Sequence, residues 1–185
     1  NPQLGNNALE TMHLVISELL QYRQQLQSHY QHSGFDIAMP TMNLGCIHGG
    51  DNPNRICGQC ELQFDLRPIP GMNNEELRQA IRERLRPIEE KTKSRIELVT
   101  LFGGVAPFEQ PSNSALIEAA ERLTGHQAGS VAFATEAPFL QELGMDTVVL
   151  GPGSIDQAHQ PNEYIEQNQI QPAIDIITSL IRQFC

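Results

Sequence analysis

Apolar side chains recur along the chain first with a helical period and then with a strand period. Leu9, Met12, Leu14, Val15, Ile16, Leu19, Leu20 and Leu26 follow Asn6 and Asn7, two good helix caps, and predict a long amphipathic helix over residues 8–30. Residues 41–48 and 56–67 then read as strands. In the second, Ile56, Gly58, Cys60, Leu62, Phe64 and Leu66 alternate with Cys57, Gln59, Glu61, Gln63, Asp65 and Arg67, giving one apolar and one polar face. The intervening Gly49-Gly50-Asp51-Asn52-Pro53-Asn54 has the composition of an irregular turn. Pro68 to Gly71 ends the second strand, and Asn73 or Asn74 with Glu75 and Glu76 opens a helix through about residue 91, with Leu77, Ile81 and Leu85 on one face. Residues 95–102 read as one more strand.

Gly103-Gly104 and Pro107 to Pro111 mark a boundary. Beyond it the pattern predicts a helix over 112–124 capped by Ser112, a short strand near 129–133, a helix over 136–143, a strand over 146–150 and a final helix from about 168. The fold class is therefore α/β in two parts. Residues 1–104 form an α+β domain with two helices on an antiparallel sheet, βαββαβ-like if one further strand precedes residue 1. Residues 105–185 form an α/β segment whose alternation predicts parallel pairing; two strands make a thin sheet, so this half is expected to complete something larger.

Composition narrows the function. No apolar run approaches the roughly 20 residues that span a bilayer, and the opening Asn1-Pro2-Gln3-Leu4-Gly5-Asn6-Asn7 lacks the basic start and apolar core of a signal peptide. A cytoplasmic location with no membrane partner is expected, and with it reduced thiols at Cys46, Cys57, Cys60 and Cys185. A net charge of −10, with its few bases interleaved with acids as in Arg82-Glu83-Arg84, argues against nucleic acid as a partner. A start without Met, in a turn-like segment, predicts a fragment or processed product.

Candidate chemistry concentrates in a few places. The run Thr147-Val148-Val149-Leu150 stops at Gly151-Pro152-Gly153, and His159 follows six residues later among polar and proline neighbours. Its imidazole suits a zinc ligand or a general base. Cys46, His48, Cys57 and Cys60 are four potential ligands within fifteen residues. The period of two puts Cys57 and Cys60 on opposite faces, which favours free strand cysteines over a structural zinc, with a self-contained interaction module built on that zinc as the alternative. Asn54 and Arg67 read either as a turn asparagine and a solvated arginine, or as an amide that stabilises an oxyanion and a guanidinium that forks onto a substrate carboxylate. Glu136 stands where it favours a helix dipole. His13, His29, His32 and His126 sit on predicted helices or in loops without a pattern of acidic or cysteine neighbours and are expected at the surface or partly buried.

Taken in order, Asn43-Leu44-Gly45, Ile47-His48-Gly49-Gly50, Asn54-Arg55-Ile56-Cys57, Asp65-Leu66-Arg67-Pro68-Ile69-Pro70-Gly71-Met72, Thr135-Glu136-Ala137-Pro138-Phe139 and Leu150-Gly151-Pro152-Gly153-Ser154-Ile155 with Gln157-Ala158-His159-Gln160-Pro161 form a set. That set resembles the acetylornithine deacetylase branch of the dinuclear zinc family, which also holds aminoacylases, succinyl-diaminopimelate desuccinylases and related carboxypeptidases. The resemblance implies a dimerisation or lid domain over residues 1–104 without its first strand, and the C-terminal segment of a catalytic domain over 105–185. It implies hydrolysis of a small N-acetyl amino acid by a homodimer holding two zinc ions per full-length subunit, with cobalt able to substitute. By resemblance His159 is the last metal ligand, and Asn54, Arg67 and Gly151 contact substrate. The catalytic base and remaining ligands are expected upstream, so no residue of this chain is expected to be catalytic. A sibling deacylase with a different acyl group or amino acid is a further alternative.

Overall fold

Asn7 caps the first helix, its side-chain oxygen accepting the N–H of Leu9 at 3.0 Å, and α1 runs Ala8–His29. In this computed structural model, which describes residues 1–185, the chain divides into two compact units, Asn1–Pro107 and Phe108–Cys185.

In the first unit the helix period of α1 buries Val15, Leu19, Tyr22 and Leu26 along one stripe. Strand β1 (Thr41–Gly49) pairs antiparallel with β2 (Cys60–Arg67), and α2 (Asn74–Thr92) follows with Asn73 capping Glu75 and Glu76. Leu77, Ile81 and Leu85 of α2 join the α1 stripe, Met42, Ile69 and Met72 in one core, against which Leu44, Leu62, Phe64 and Leu66 pack from the sheet. Each such aliphatic side chain, fully buried, contributes roughly 1.5–3 kcal/mol. Arg84 ties the two helices together: its guanidinium donates to Glu18 at 2.8 Å and Gln25 at 2.5 Å and lies 4.3 Å from the centre of the Tyr22 ring.

The sheet is two-stranded, with a bulge between Leu44 and Cys46. The extra residue, Gly45, shifts the parity of β1. Met42 and Leu44 face the core opposite Leu66 and Phe64, while beyond the bulge Cys46 and His48 fall on the polar face opposite Gln63 and Glu61. Two predicted strands differ. The second begins at Cys60 rather than residue 56, because the Cys57 carbonyl accepts the N–H of Ala8 at 2.9 Å and Gly58 has no side chain to pack. Residues 95–102 form no ladder; Ile96 and Leu98 pack on the core, but the Ile96 N–H goes to the Glu89 carboxylate at 2.9 Å. The full βαββαβ sheet is thus not present within these residues.

In the second unit α3 (Ala115–Thr124) is capped by Ser114, not Ser112 as predicted. The Ser114 hydroxyl accepts from Leu116 N at 3.3 Å and donates to Asp146 at 2.9 Å, an acid that the sequence pattern does not pair with it. Helices α4 (Ala137–Glu142) and α5 (Gln167–Phe184) follow, α5 packing on α3. Residues 129–133 and 146–150 form no ladder, so the expected parallel pairing is absent here. A strand exists only where a partner accepts its backbone hydrogen bonds, and the apolar Val131, Phe133, Val149 and Leu150 of these segments are exposed.

Candidate functional site

The loop that ends in His159 is shaped by backbone rather than by packing. Gly153 takes φ +96°, which only glycine adopts without strain, and its N–H donates to Gln169 of α5 at 2.9 Å. Ser154 caps a short 3-10 turn over Ile155–Gln157. His159 itself has φ +63° and Asn162 φ +64°, uncommon for residues with a side chain, and the His159 N–H donates to the Glu163 carboxylate at 3.3 Å. The imidazole is exposed, and Gly151 stands in open space, with no atom within 4 Å of where a Cβ would lie.

No group of three or more His, Cys, Asp or Glu side chains is placed to hold a metal ion. Even catalytic zinc sites take three protein ligands, so this chain by itself does not fit the dinuclear centre that its resemblance implies. His159 belongs to no such three-donor group.

The cysteine and histidine cluster does not assemble either. Cys46 and Cys185 are exposed, Cys57 is buried and Cys60 half-buried, all as free thiols. Cys57 lies outside β2, so the parity argument does not apply to it; its thiol donates to the Gln59 carbonyl at 3.0 Å. Cys60 packs against Gly49, where a Cβ would stand only 2.7 Å from its sulfur. Burial, and secondarily the neighbouring Cys57, push the Cys60 thiol above its ordinary pKa.

In the first unit Asn54 lies in the exposed loop between β1 and β2, its N–H donating to the Asn52 side chain at 2.8 Å. Arg67 ends β2 on the polar face opposite Thr41, its Nε donating to Asp65 at 2.8 Å. β2 spans about 23 Å from Cys60 to Arg67 at roughly 3.3 Å per residue, so the loop that carries Asn54 and the strand end that carries Arg67 lie at opposite ends of the hairpin. Glu136 stands exposed at the N-cap of α4 without a capping bond, and the Thr135 hydroxyl accepts the Ala137 N–H instead. His13, His29 and His126 are exposed and His32 is half-buried. Three polar groups that shape these places escaped the sequence reading: Asp65, Glu163 and Gln169. Only Asp65 had a legible signal, since two residues apart on a strand means the same face as Arg67.

The sequence model of the M20 peptidase dimerisation domain matches residues 1–93, half of the chain. The chain belongs to this M20 family. Among curated relatives it is 44% identical to the acetylornithine deacetylase of Vibrio cholerae serotype O1 and 46% identical to those of Vibrio vulnificus and Edwardsiella ictaluri. Each match runs over all 185 residues and over 48–49% of the relative. The chain thus spans about half the length of the curated relatives it matches. A crystal structure of an M20 family metallo-carboxypeptidase from Sulfolobus solfataricus superposes with a TM-score of 0.54 over 77% of this chain and 35% of that one. At 21% identity that likeness speaks to fold alone. M20 membership places the two helices and hairpin of the first unit in a domain whose matched family is described by dimerisation.

Proposed function

We propose that residues 1–104 are the lid domain, without its first strand, and residues 105–185 the C-terminal segment of the catalytic domain, of an amidohydrolase that converts N-acetylornithine to ornithine and acetate. The observation that carries this reading is similarity over all 185 residues to acetylornithine deacetylases about twice as long. The incomplete donor set around His159 agrees with a site divided between this chain and the rest of the protein. On this reading the full-length protein is a cytoplasmic enzyme of arginine biosynthesis that dimerises through the lid and holds two zinc ions per subunit, replaceable by cobalt. His159 is the one metal ligand this chain contributes.

What these residues do on their own account is bind. Arg67 supplies a guanidinium for the substrate carboxylate and Gly151 a backbone approach without a side chain in the way, while Asn54, at the other end of the hairpin, supplies its amide to the carbonyl oxygen of a substrate held by the other subunit of the proposed dimer. None of the three moves a proton, so no catalytic residue is assigned here. The test compares kcat/KM of the full-length enzyme on N-acetylornithine and on N-succinyl-diaminopimelate. Preference for the acetyl substrate is expected. Preference for the succinyl substrate would make the chain part of a sibling deacylase and remove the substrate from this account while leaving the family intact.

A further inference from the structure

Arg67 and Asp65 make an ion pair that stability does not explain. Their side chains are 65% and 50% exposed, and exposed pairs are worth about 0–1 kcal/mol. The pair is nonetheless well formed: the Asp65 carboxylate accepts from Nε at 2.8 Å, and two-residue spacing on β2 puts both groups on the polar face. A guanidinium carries five N–H donors in a fixed plane, and a carboxylate is best held by two parallel ones. When an acid engages Nε from the same strand, the plane of the fork is set before a ligand arrives and less side-chain entropy is lost on binding. Of the other acids on this face of β2, Glu61 accepts instead from Gln63, at 2.7 Å.

We propose that Asp65 is a positioning residue that presents Arg67 to a substrate carboxylate, and so a determinant of selectivity for N-acyl amino acids with an unmodified α-carboxylate. This rests on the reading of Arg67 as the carboxylate-binding residue, and the test separates the two. In the full-length enzyme, KM and kcat are measured for N-acetylornithine and for its α-carboxamide with the wild type, Asp65→Asn, Asp65→Ala, Arg67→Ala and the Asp65→Ala/Arg67→Ala double variant, with Tm recorded for each. Loss of a charge-assisted hydrogen bond predicts that Asp65→Ala raises KM for the carboxylate substrate about tenfold, with kcat within about threefold. Asp65→Asn, which keeps a carbonyl oxygen for Nε, falls between it and the wild type. The carboxamide shows no such change, Tm is preserved, and Asp65→Ala adds nothing in the Arg67→Ala background. If Arg67→Ala raises KM for the carboxylate substrate and both Asp65 variants do not, the proposal is overturned while the Arg67 reading stands. If Arg67→Ala treats carboxylate and carboxamide alike, the Arg67 reading itself is overturned. A drop in Tm with equal KM changes for both substrates would make Asp65 a structural residue and overturn the proposal as well; should Asp65→Ala fail to fold, the Asp65→Asn values decide by the same criteria.

Discussion

At the scale of single residues the closest constraint is the contact between Gly49 and Cys60. A methyl group at Gly49 would meet the Cys60 sulfur at 2.7 Å and its Cα at 3.2 Å, and that backbone atom cannot move without breaking the end of the β1–β2 ladder. Gly49→Ala is expected to destabilise the first unit by about 1–3 kcal/mol in urea unfolding, with Cys60→Ala in the same chain recovering only part of the loss. Full recovery would show that the sulfur alone sets the constraint. The thiols provide a second check: iodoacetamide is expected to label exposed Cys46 and Cys185 well before buried Cys57 and half-buried Cys60, and burial also pushes the Cys60 thiol above its ordinary pKa. Equal labelling of all four would contradict the placement of Cys57 and Cys60. The sequence pattern separated these cysteines for a reason that holds for Cys60 and not for Cys57. What fixes the backbone at Cys57 is the bond from Ala8, 49 residues away in sequence and invisible to any local period.

At the scale of elements, the helices were legible because their signals are local. Asn7 and Asn73 cap where predicted, and the stripes through Leu19 and Ile81 face the core. Ser112 and Ser114 are both caps by type; Asp146, distant in sequence, selects Ser114 by accepting its hydroxyl. The residue pattern predicts strands over 95–102, 129–133 and 146–150, but pairing is non-local and no neighbour in this chain supplies it. Two predictions belong here. Arg84→Ala, which removes the bonds to Glu18 and Gln25 and the contact with Tyr22, is expected to cost about 1–2 kcal/mol in denaturant unfolding, and an unchanged midpoint would show that the α1–α2 clamp is idle. Glu75 accepts hydrogen bonds from Arg82 and Arg78, which hold its carboxyl below the ordinary glutamate range. A value depressed by folding means that the contribution is present above the unfolded pKa and is lost as pH falls through the folded one. The helical signal at 222 nm is therefore expected to decline as the pH drops below the ordinary glutamate range, and to decline less in Glu75→Gln; superimposable titrations would remove the pair from the account.

At the scale of the whole molecule, the second unit presents apolar surface beyond what its own elements cover. Ile170, Ile174, Ile177 and Ile181 of α5 are 42–55% exposed at helical spacing, and α5 buries no residue fully. The proposed domain assignment explains this surface as the inner side of a larger catalytic domain. Ile174→Asp is accordingly expected to leave the unfolding of the 185-residue chain nearly unchanged and to destabilise the full-length protein by about 2 kcal/mol or more; equal small effects in both would contradict it. On the proposed reading the metal site is divided, with His159 in this chain and the other ligands in the rest of the full-length protein. The most direct measurement is ornithine release from N-acetylornithine by the purified 185-residue chain supplied with zinc, run beside the full-length protein. Turnover is expected from the full-length protein and none from the chain alone; sustained hydrolysis by the 185 residues would rule out a divided site.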